Sequence, residues 1–170
     1  MTPLQVCLNY LDGLGICYSH ICDATMRMAG EIGSYTSANI LAETVVMKDA
    51  ARYLLVVIPA ESYVEIGKVS SVVGTNMLRF ASEAEMSVLF PFGKVDRIPP
   101  FGGLFGMPVY LDSELADQET IDFTACTRYD LIHMRTDDFQ RIAQPVVGSF
   151  RGTDYQREFR HRLLAKAAGA

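Results

Sequence analysis

The stretch from Asp96 to Asp112 has the residue types best suited to hold a polar ligand. Its first thirteen residues contain three prolines and three glycines. Pro99-Pro100 removes two backbone donors and stiffens the approach to the stretch, whereas Gly102 and Gly103 can adopt φ > 0 and expose bare N–H groups. A stiff loop that presents amides can hold a carbonyl oxygen or a phosphate. The alternative is a wide turn between two elements.

Lys48 is the cation with the clearest chemical context. It follows the apolar run Thr44–Met47 and precedes Asp49. At the end of an apolar strand, a cation gains from partial burial beside an anion. The alternative is a hairpin lysine that only pairs with Asp49 or Glu43.

Four blocks of sequence carry a family resemblance. In chain order they are Thr44–Asp49, its hairpin partner Tyr53–Ala60, Leu78–Glu83 and Pro99–Gly102. Together they resemble the YbaK/prolyl-tRNA editing family of aminoacyl-tRNA deacylases. The resemblance covers roughly Ala24 to Pro145, and the order and spacing of the blocks make it specific.

The resemblance implies a site made of one cation and a loop of backbone groups. Lys48 would be part of the active site, where it contacts the phosphate of the terminal adenosine or orients the substrate. Pro100, Phe101 and Gly102, with the adjacent Gly103, would line the amino-acid pocket. No metal or organic cofactor is implied.

The sequence departs from the family pattern at two places. The first glycine of the family's loop motif falls at Asp96, whose carboxylate can bind a substrate's amino group or can weaken an anion-binding loop. Many relatives carry Ala-Gly-Ser/Thr-His where this chain has Ala125-Cys126-Thr127-Arg128. Arg128 cannot act as a general base, but with Thr127 it can bind phosphate or carboxylate. Cys126 can be a nucleophile only if its pKa is lowered.

Two of the three histidines and all four cysteines lie outside the basic segment at 151–170. His20 lies where relatives place residues at the pocket rim, and it either replaces part of the lost histidine function or is structural near Tyr18. His133 falls in a predicted strand and is interpreted as structural. The cysteines form no CxxC pair and have no histidine at metal spacing, which predicts reduced thiols that lie mostly in the core.

Size and charge limit the classes of function. A chain of 170 residues predicts one domain with a substantial core, here 1–150 as an editing domain followed by a basic segment, 151–170. That segment is either a solvated helix or frayed end, or a basic patch for RNA or a synthetase. A net charge of −5 argues against a broad nucleic-acid surface but allows contact with an RNA end. No apolar run is long enough to cross a bilayer, and the start lacks a basic n-region, so a cytoplasmic location is predicted.

Periodicity and capping signals predict the elements that position these residues. The strongest prediction is the hairpin over 44–60, with its turn at Asp49–Arg52. Helices are predicted over Pro3–Leu11, capped by Thr2; Ala24–Glu31, capped by Asp23; Ser37–Leu41; Val64–Val73, closed by Gly74; Glu83–Leu89, with a capping box from Ser82 and Glu85; and Asp137–Ala143, capped by Thr136. Further strands are predicted over Ile16–His20, Met77–Phe80, Val109–Leu111, Thr120–Ala125 and Leu131–Arg135, and a turn or one helical turn over Asp112–Ala116.

Interleaved strands and helices indicate an α/β domain of the mixed α+β kind. The resemblance implies its topology: a largely antiparallel mixed sheet that curls into a partly closed barrel surrounded by helices. The site would lie between the end of strand 44–48, the 96–106 loop and the 125–128 turn.

Three functions remain open at this point. The leading hypothesis is a trans-editing deacylase that hydrolyses a mischarged aminoacyl-tRNA, carrying a small amino acid on proline tRNA, with tRNA and a synthetase as partners. The second is a binding module of the same fold that has lost catalysis and binds tRNA 3′ ends, a nucleotide or a synthetase. The third is an esterase for another small activated acyl compound.

Overall fold

A long β-hairpin forms the centre of the protein in the computed structural model, which describes residues 1–22, 40–90 and 97–152. Its strands are β2 (Leu41–Lys48) and β3 (Tyr53–Pro59), paired in antiparallel register from Ala42↔Pro59 to Lys48↔Tyr53. Six of the seven residues of β3 are buried, so the hairpin runs through the middle of the molecule. This confirms the hairpin predicted over 44–60.

The other elements follow in chain order on both sides of this hairpin. They are α1 (Pro3–Gly13), β1 (Tyr18–Cys22), α2 (Ile66–Val73), β4 (Arg79–Phe80), α3 (Glu83–Leu89), α4 (Gly102–Phe105), β5 (Val109–Asp112), α5 (Ser113–Ala116), β6 (Thr120–Thr124), β7 (Asp130–Arg135), α6 (Thr136–Ala143) and β8 (Val146–Gly148).

The described strands form one mixed sheet of eight strands in the order β1-β7-β6-β2-β3-β5-β8, with β4 added to β2. The β1–β7, β7–β6, β2–β3 and β2–β4 pairs are antiparallel, and the β2–β6, β3–β5 and β5–β8 pairs are parallel. The sheet does not close into a barrel, and helices flank it. The mixed α/β class expected from the sequence is confirmed.

The edge of β2 that faces away from β3 is shared by two partners. At its start, Leu41 and Ala42 pair with β6. At its end, Met47 and Lys48 pair with β4, and the amide of Ala81 donates to the carbonyl of Val46 at 3.0 Å. The neighbour of β2 on this edge therefore changes along the strand, from β6 at its start to β4 at its end.

Alternate residues of the hairpin enter two separate cores, as a pleated strand requires. On one face Val46, Leu55 and Val57 join residues of α1, α4 and α6. On the other face Met47, Leu54, Val56 and Ile58 pack beneath α2 together with Phe150. Lys48 follows Val46 by two residues, which places it on the first face, opposite to Met47.

Local capping rules explain several helix ends. The Thr2 hydroxyl accepts from the amide of Gln5 at 3.2 Å and caps α1. Ser82 and Glu85 form the predicted capping box of α3, and Gly74 closes α2 with a left-handed backbone, φ 79°. These predictions are confirmed.

Four other expectations need correction. The first strand lies at Tyr18–Cys22, two residues later than predicted. The N-cap of α6 is Arg135 without a side-chain cap, and the Thr136 hydroxyl is buried instead. Strand β8 was not predicted, because Val146–Gly148 is too short for a period-2 pattern. The 96–106 loop contains the helical turn α4.

Two predicted segments cannot be compared with the structure. The helices expected over 24–31 and 37–41, and most of the basic segment 151–170, lie outside the described residues.

The segment after α6, made of β8, Phe150 and Arg151 and called the strap below, covers part of the second face of the sheet. Strand β8 adds to β5, and the ring of Phe150 then packs against Tyr110 with ring centroids 6.0 Å apart. The buried carboxylate of Asp112 accepts from the amide of Phe150 at 2.9 Å and lies 3.5 Å from Nε of Arg151. Arg151 also pairs with Glu114. The strap is therefore part of the folded unit.

Among the described helices, none is long and apolar enough to cross a bilayer.

Candidate functional site

Lys48 lies in a cluster of charges at the end of β2. Its ammonium donates to Oε1 of Glu85 at 3.0 Å and lies 4.9 Å from the centroid of the Tyr53 ring. Glu85 also accepts two hydrogen bonds of 2.8 Å from the guanidinium of Arg79, one at each carboxylate oxygen. The partner of Lys48 is thus neither Asp49 nor Glu43, and Asp49 instead caps the hairpin turn through the amides of Ala51 and Arg52.

The cluster carries two positive charges and one negative charge. The guanidinium of Arg79, the amide of Ser82 and the ammonium of Lys48 hold the pKa of Glu85 far below its ordinary value. The hydrogen bond to Glu85 and that to Tyr53 raise the pKa of Lys48 in turn. All three groups are therefore charged at neutral pH, and a net charge of +1 remains to attract an anion.

The predicted loop contributes mostly to the core. Pro99, Pro100, Phe101 and Gly102 are buried, and the ring of Phe101 packs edge-on against Phe123 at 5.2 Å. Gly102 begins α4 without a positive φ; its role is close packing, because a Cβ there would meet Cγ2 of Val109 at 2.6 Å. Gly103 is exposed at the start of the turn, beside Tyr10.

The beginning of the loop is joined to the turn over 125–128. Cys126 and Arg97 form an antiparallel bridge in which the amide of Cys126 donates to the carbonyl of Arg97 at 2.7 Å. Cys126 has a left-handed backbone, φ 66°, which a glycine adopts most easily. Cysteine therefore occupies a backbone conformation that favours glycine.

Asp130 contacts both the turn over 125–128 and strand β1. This buried carboxylate accepts from the hydroxyl of Thr127 and contacts Nε2 of His20 at 2.9 Å. Burial alone would raise the pKa of Asp130, but hydrogen bonds from Thr127, His20 and Cys22 outweigh it, so the pKa lies below its ordinary value. Asp130 is therefore an anion that fixes the Thr127 hydroxyl and the His20 ring together. Arg128 is exposed beside them.

The predicted site residues thus fall into two groups. Thr127 and His20 meet through Asp130, whereas Lys48 belongs to the cluster with Glu85. Extending the β2–β6 register places residue 125 level with Thr44, four residues before Lys48. With strand spacings of about 4.8 Å and a rise of about 3.3 Å per residue, the start of the turn over 125–128 lies roughly 15 Å from Lys48 across the sheet. Asp96 lies outside the described residues.

Sequence reasoning missed three residues that hold these groups in place. Glu85 was identified only as a helix cap, and Arg79 only as part of a short strand. Both residues lie close to Lys48 only because β2 pairs with β4, and no local sequence pattern indicates this pairing. Asp130 was missed because a single carboxylate before a strand has no local signature. Within the described ranges, no group of three or more His, Cys, Asp or Glu residues is placed to hold a metal ion.

The sequence from residue 24 to residue 142 matches the family model of the aminoacyl-tRNA editing domain. Since this match covers well over half of the chain, the protein belongs to that family. The hairpin, the Lys48 cluster and the turn over 125–128 all lie within the matched residues. No curated protein matches the sequence.

Solved structures share the fold at low sequence identity. A candidate trans-editing enzyme for prolyl-tRNA synthetase superposes with a TM-score of 0.68 at 17% identity, covering 90% of this chain and 99% of that one. A computationally designed epitope scaffold gives 0.66 at 15% identity, with coverage of 90% and 99%. A candidate signal-transduction protein from Marinobacter aquaeolei gives 0.65 at 14% identity; the match covers 80% of this chain but only 28% of that longer one.

Proposed function

We propose that this protein is a trans-editing deacylase that hydrolyses the ester of a mischarged aminoacyl-tRNA, with a small amino acid on proline tRNA as the first substrate to test. The observation that carries this proposal is the cluster of Lys48, Arg79 and Glu85 at the end of β2. Membership of the editing family supports the reaction class, and the structural likeness to a candidate enzyme for prolyl-tRNA synthetase motivates the choice of tRNA.

The two groups of residues suit the two ends of an aminoacylated nucleotide. The cluster around Lys48 has a net charge of +1 and donors that can turn toward a phosphate. The turn over 125–128 carries the Thr127 hydroxyl, and it is joined to the loop that leads to Pro100. A separation of roughly 15 Å across the sheet is comparable to the length of a terminal adenosine with its amino acid.

An aminoacyl ester is activated, so the main requirements are a positioned substrate, a held water and stabilisation of the developing oxyanion. Lys48 would hold the phosphate and thereby fix the ester relative to the turn. The Thr127 hydroxyl, oriented by Asp130, would contact the aminoacyl end. Arg128 would bind a phosphate or carboxylate oxygen at the rim. An aminoacyl site that admits only small side chains would discriminate by size, as a second sieve for small amino acids requires.

The test is deacylation of proline tRNA charged with Ala, Ser, Cys or Thr. Wild type, Lys48→Ala and Arg52→Ala are compared. Arg52 is the matched control, since it is a cation on the same hairpin that pairs with Asp49 at the turn. We expect turnover of at least one substrate by wild type and by Arg52→Ala, and a loss of about 100-fold or more in Lys48→Ala, the size of effect that a lost positioning contact produces.

A binding module without catalysis is the second candidate function. Two features favour it: the family resemblance implies a histidine where this chain has Arg128, and the ammonium of Lys48 is already paired with Glu85. Tight binding of a non-hydrolysable aminoacyl-adenosine analogue by a wild-type protein that turns over none of the four tRNAs would establish this alternative. Turnover that Lys48→Ala abolishes would exclude it.

A further inference from the structure

We propose that Cys7 and Cys126 form a dithiol modification site that converts reversibly to an intramolecular disulfide, tying helix α1 to the turn over 125–128. The formation of this bond does not depend on the proposed function. It depends on two side chains from distant parts of the sequence that meet in one core.

The two thiols are in direct contact. Cys7 lies on the buried side of α1 and is 0% exposed, and Cys126 is 5% exposed. The Cys7 thiol donates a hydrogen bond to the sulfur of Cys126. The other two cysteines, Cys17 and Cys22, are exposed. The chain therefore contains one buried pair and two accessible thiols that serve as an internal comparison.

The backbone at Cys126 gives a second, independent reason to examine this pair. A left-handed φ of 66° costs a non-glycine residue roughly 1 kcal/mol, and glycine would adopt it freely. Cysteine nevertheless occupies the position, and its side chain is directed at the only other buried thiol among the described residues. Cys7 precedes the family-matched segment 24–142, so the pair joins that segment to α1.

The two thiols differ in pKa, and the thiol with the lower pKa more readily forms the thiolate that starts thiol–disulfide exchange. The hydrogen bond from Cys7 lowers the pKa of Cys126, whereas the contact with Cys126, together with burial, raises that of Cys7. Cys126 is also the more exposed of the two. It is therefore the attacking thiolate, and Cys7 is the resolving thiol.

The reaction is a two-electron oxidation with a small disulfide such as oxidised glutathione as oxidant. The Cys126 thiolate attacks one sulfur of the oxidant, forms a mixed disulfide and releases one glutathione thiolate. The Cys7 thiol then loses its proton and attacks Sγ of Cys126, which releases the second glutathione. The protein loses two protons and two electrons, and the oxidant is reduced to two thiols.

The experiment maps the thiols of the full-length protein. Fully reduced native protein is used with the exposed Cys17 and Cys22 left free, because an alkylating reagent that blocks them would also modify the Cys126 thiolate. The protein is then incubated with oxidised glutathione, quenched in acid, denatured and treated with N-ethylmaleimide, before and after reduction by dithiothreitol. We expect Cys7 and Cys126 to resist N-ethylmaleimide until dithiothreitol is added, and we expect a non-reduced digest to contain the Cys7–Cys126 cross-linked peptide.

The proposal is overturned if both buried cysteines react fully with N-ethylmaleimide after oxidation, or if either carries a stable glutathione adduct in place of the cross-link. Cys7→Ser tests the order of attack, because Cys126 should then accumulate as the glutathione adduct. Cys126→Ser should leave Cys7 unmodified. A glutathione adduct on Cys7 in Cys126→Ser would contradict the assignment of Cys126 as the attacking thiolate.

Discussion

Lys48 and Arg79 lie directly opposite each other on the antiparallel strands β2 and β4, and both donate to the carboxylate of Glu85. Like charges directly opposite in a sheet are destabilising, so the pairing of these two strands depends on the carboxylate between them. Glu85 comes from α3, where it also accepts from the amide of Ser82 at 2.9 Å as part of the capping box. One side chain therefore joins a helix start to the end of a sheet.

Replacing Glu85 with Gln should lower the melting temperature. The substitution keeps the shape but removes the charge that separates Lys48 from Arg79, and it weakens the capping box. Glu83→Gln is the matched control, because Glu83 is an exposed acid in the first turn of the same helix. Thermal unfolding followed by circular dichroism checks this. Equal melting temperatures for the two variants would contradict the assigned role of Glu85.

The stability that Glu85 provides should depend on pH in a defined direction. Arg79, Ser82 and Lys48 depress its pKa in the folded state below the ordinary value of 4.5. Its contribution is therefore present above pH 4.5 and is lost progressively as the pH falls below that value. Urea unfolding of wild type and Glu85→Gln at pH 7, 5, 4 and 3 should show a stability difference that is constant at the higher pH values and shrinks below the ordinary pKa. A difference that is unchanged at pH 3 would count against the assigned ion pairs.

Asp130→Asn should reduce both stability and deacylation. Its carboxylate holds the Thr127 hydroxyl and the His20 ring, and a buried hydrogen-bond network that loses its acceptor costs about 1–3 kcal/mol. Asp122→Asn is the matched control. Asp122 lies on β6, is as buried as Asp130, and contacts a histidine of the neighbouring strand, His133 on β7. We expect similar losses in urea stability but a clearly larger fall in kcat/KM for Asp130→Asn. Equal kinetic effects would leave Asp130 as a purely structural residue.

At position 126, a glycine variant should be at least as stable as an alanine variant, which is the reverse of the usual order in a helix. At φ 66°, glycine avoids a Cβ penalty of roughly 1 kcal/mol, so Cys126→Gly should be at least as stable as Cys126→Ala. At Cys7, inside helix α1, the order should be the normal one, with Cys7→Gly about 1 kcal/mol less stable than Cys7→Ala. Urea unfolding of the four variants gives both differences. The same order at both positions would show that the backbone at 126 carries no strain.

The sequence predicted the parts of the fold that local rules determine. The hairpin follows from two apolar runs around Asp49–Arg52, and the Ser82–Glu85 capping box from a four-residue pattern, so both could be located from neighbouring residues alone. The class of sheet came from the family resemblance, since periodicity alone does not specify strand order.

The remaining features depend on contacts between distant residues. Glu85 and Arg79 reach Lys48 only because β4 pairs with the end of β2, and Asp130 reaches His20 only because β1 pairs with β7. The family resemblance implied that Phe101 lines the amino-acid pocket, yet its ring lies in the core against Phe123. Composition indicated a loop there but could not show which side chains it buries. Whether the buried loop residues also contact a substrate through their backbone remains a prediction.

The strap formed by β8, Phe150 and Arg151 determines where a shortened version of the protein can end. The family match ends at residue 142, and a shortened chain designed on that boundary would lack the strand that covers β5. Tyr110 would lose its ring partner, the buried carboxylate of Asp112 would lose the Phe150 amide, and the hydrophobic face beneath α2 would open to water. The natural unit for expression and crystallisation therefore extends at least to residue 152, ten residues past the boundary that sequence comparison suggests.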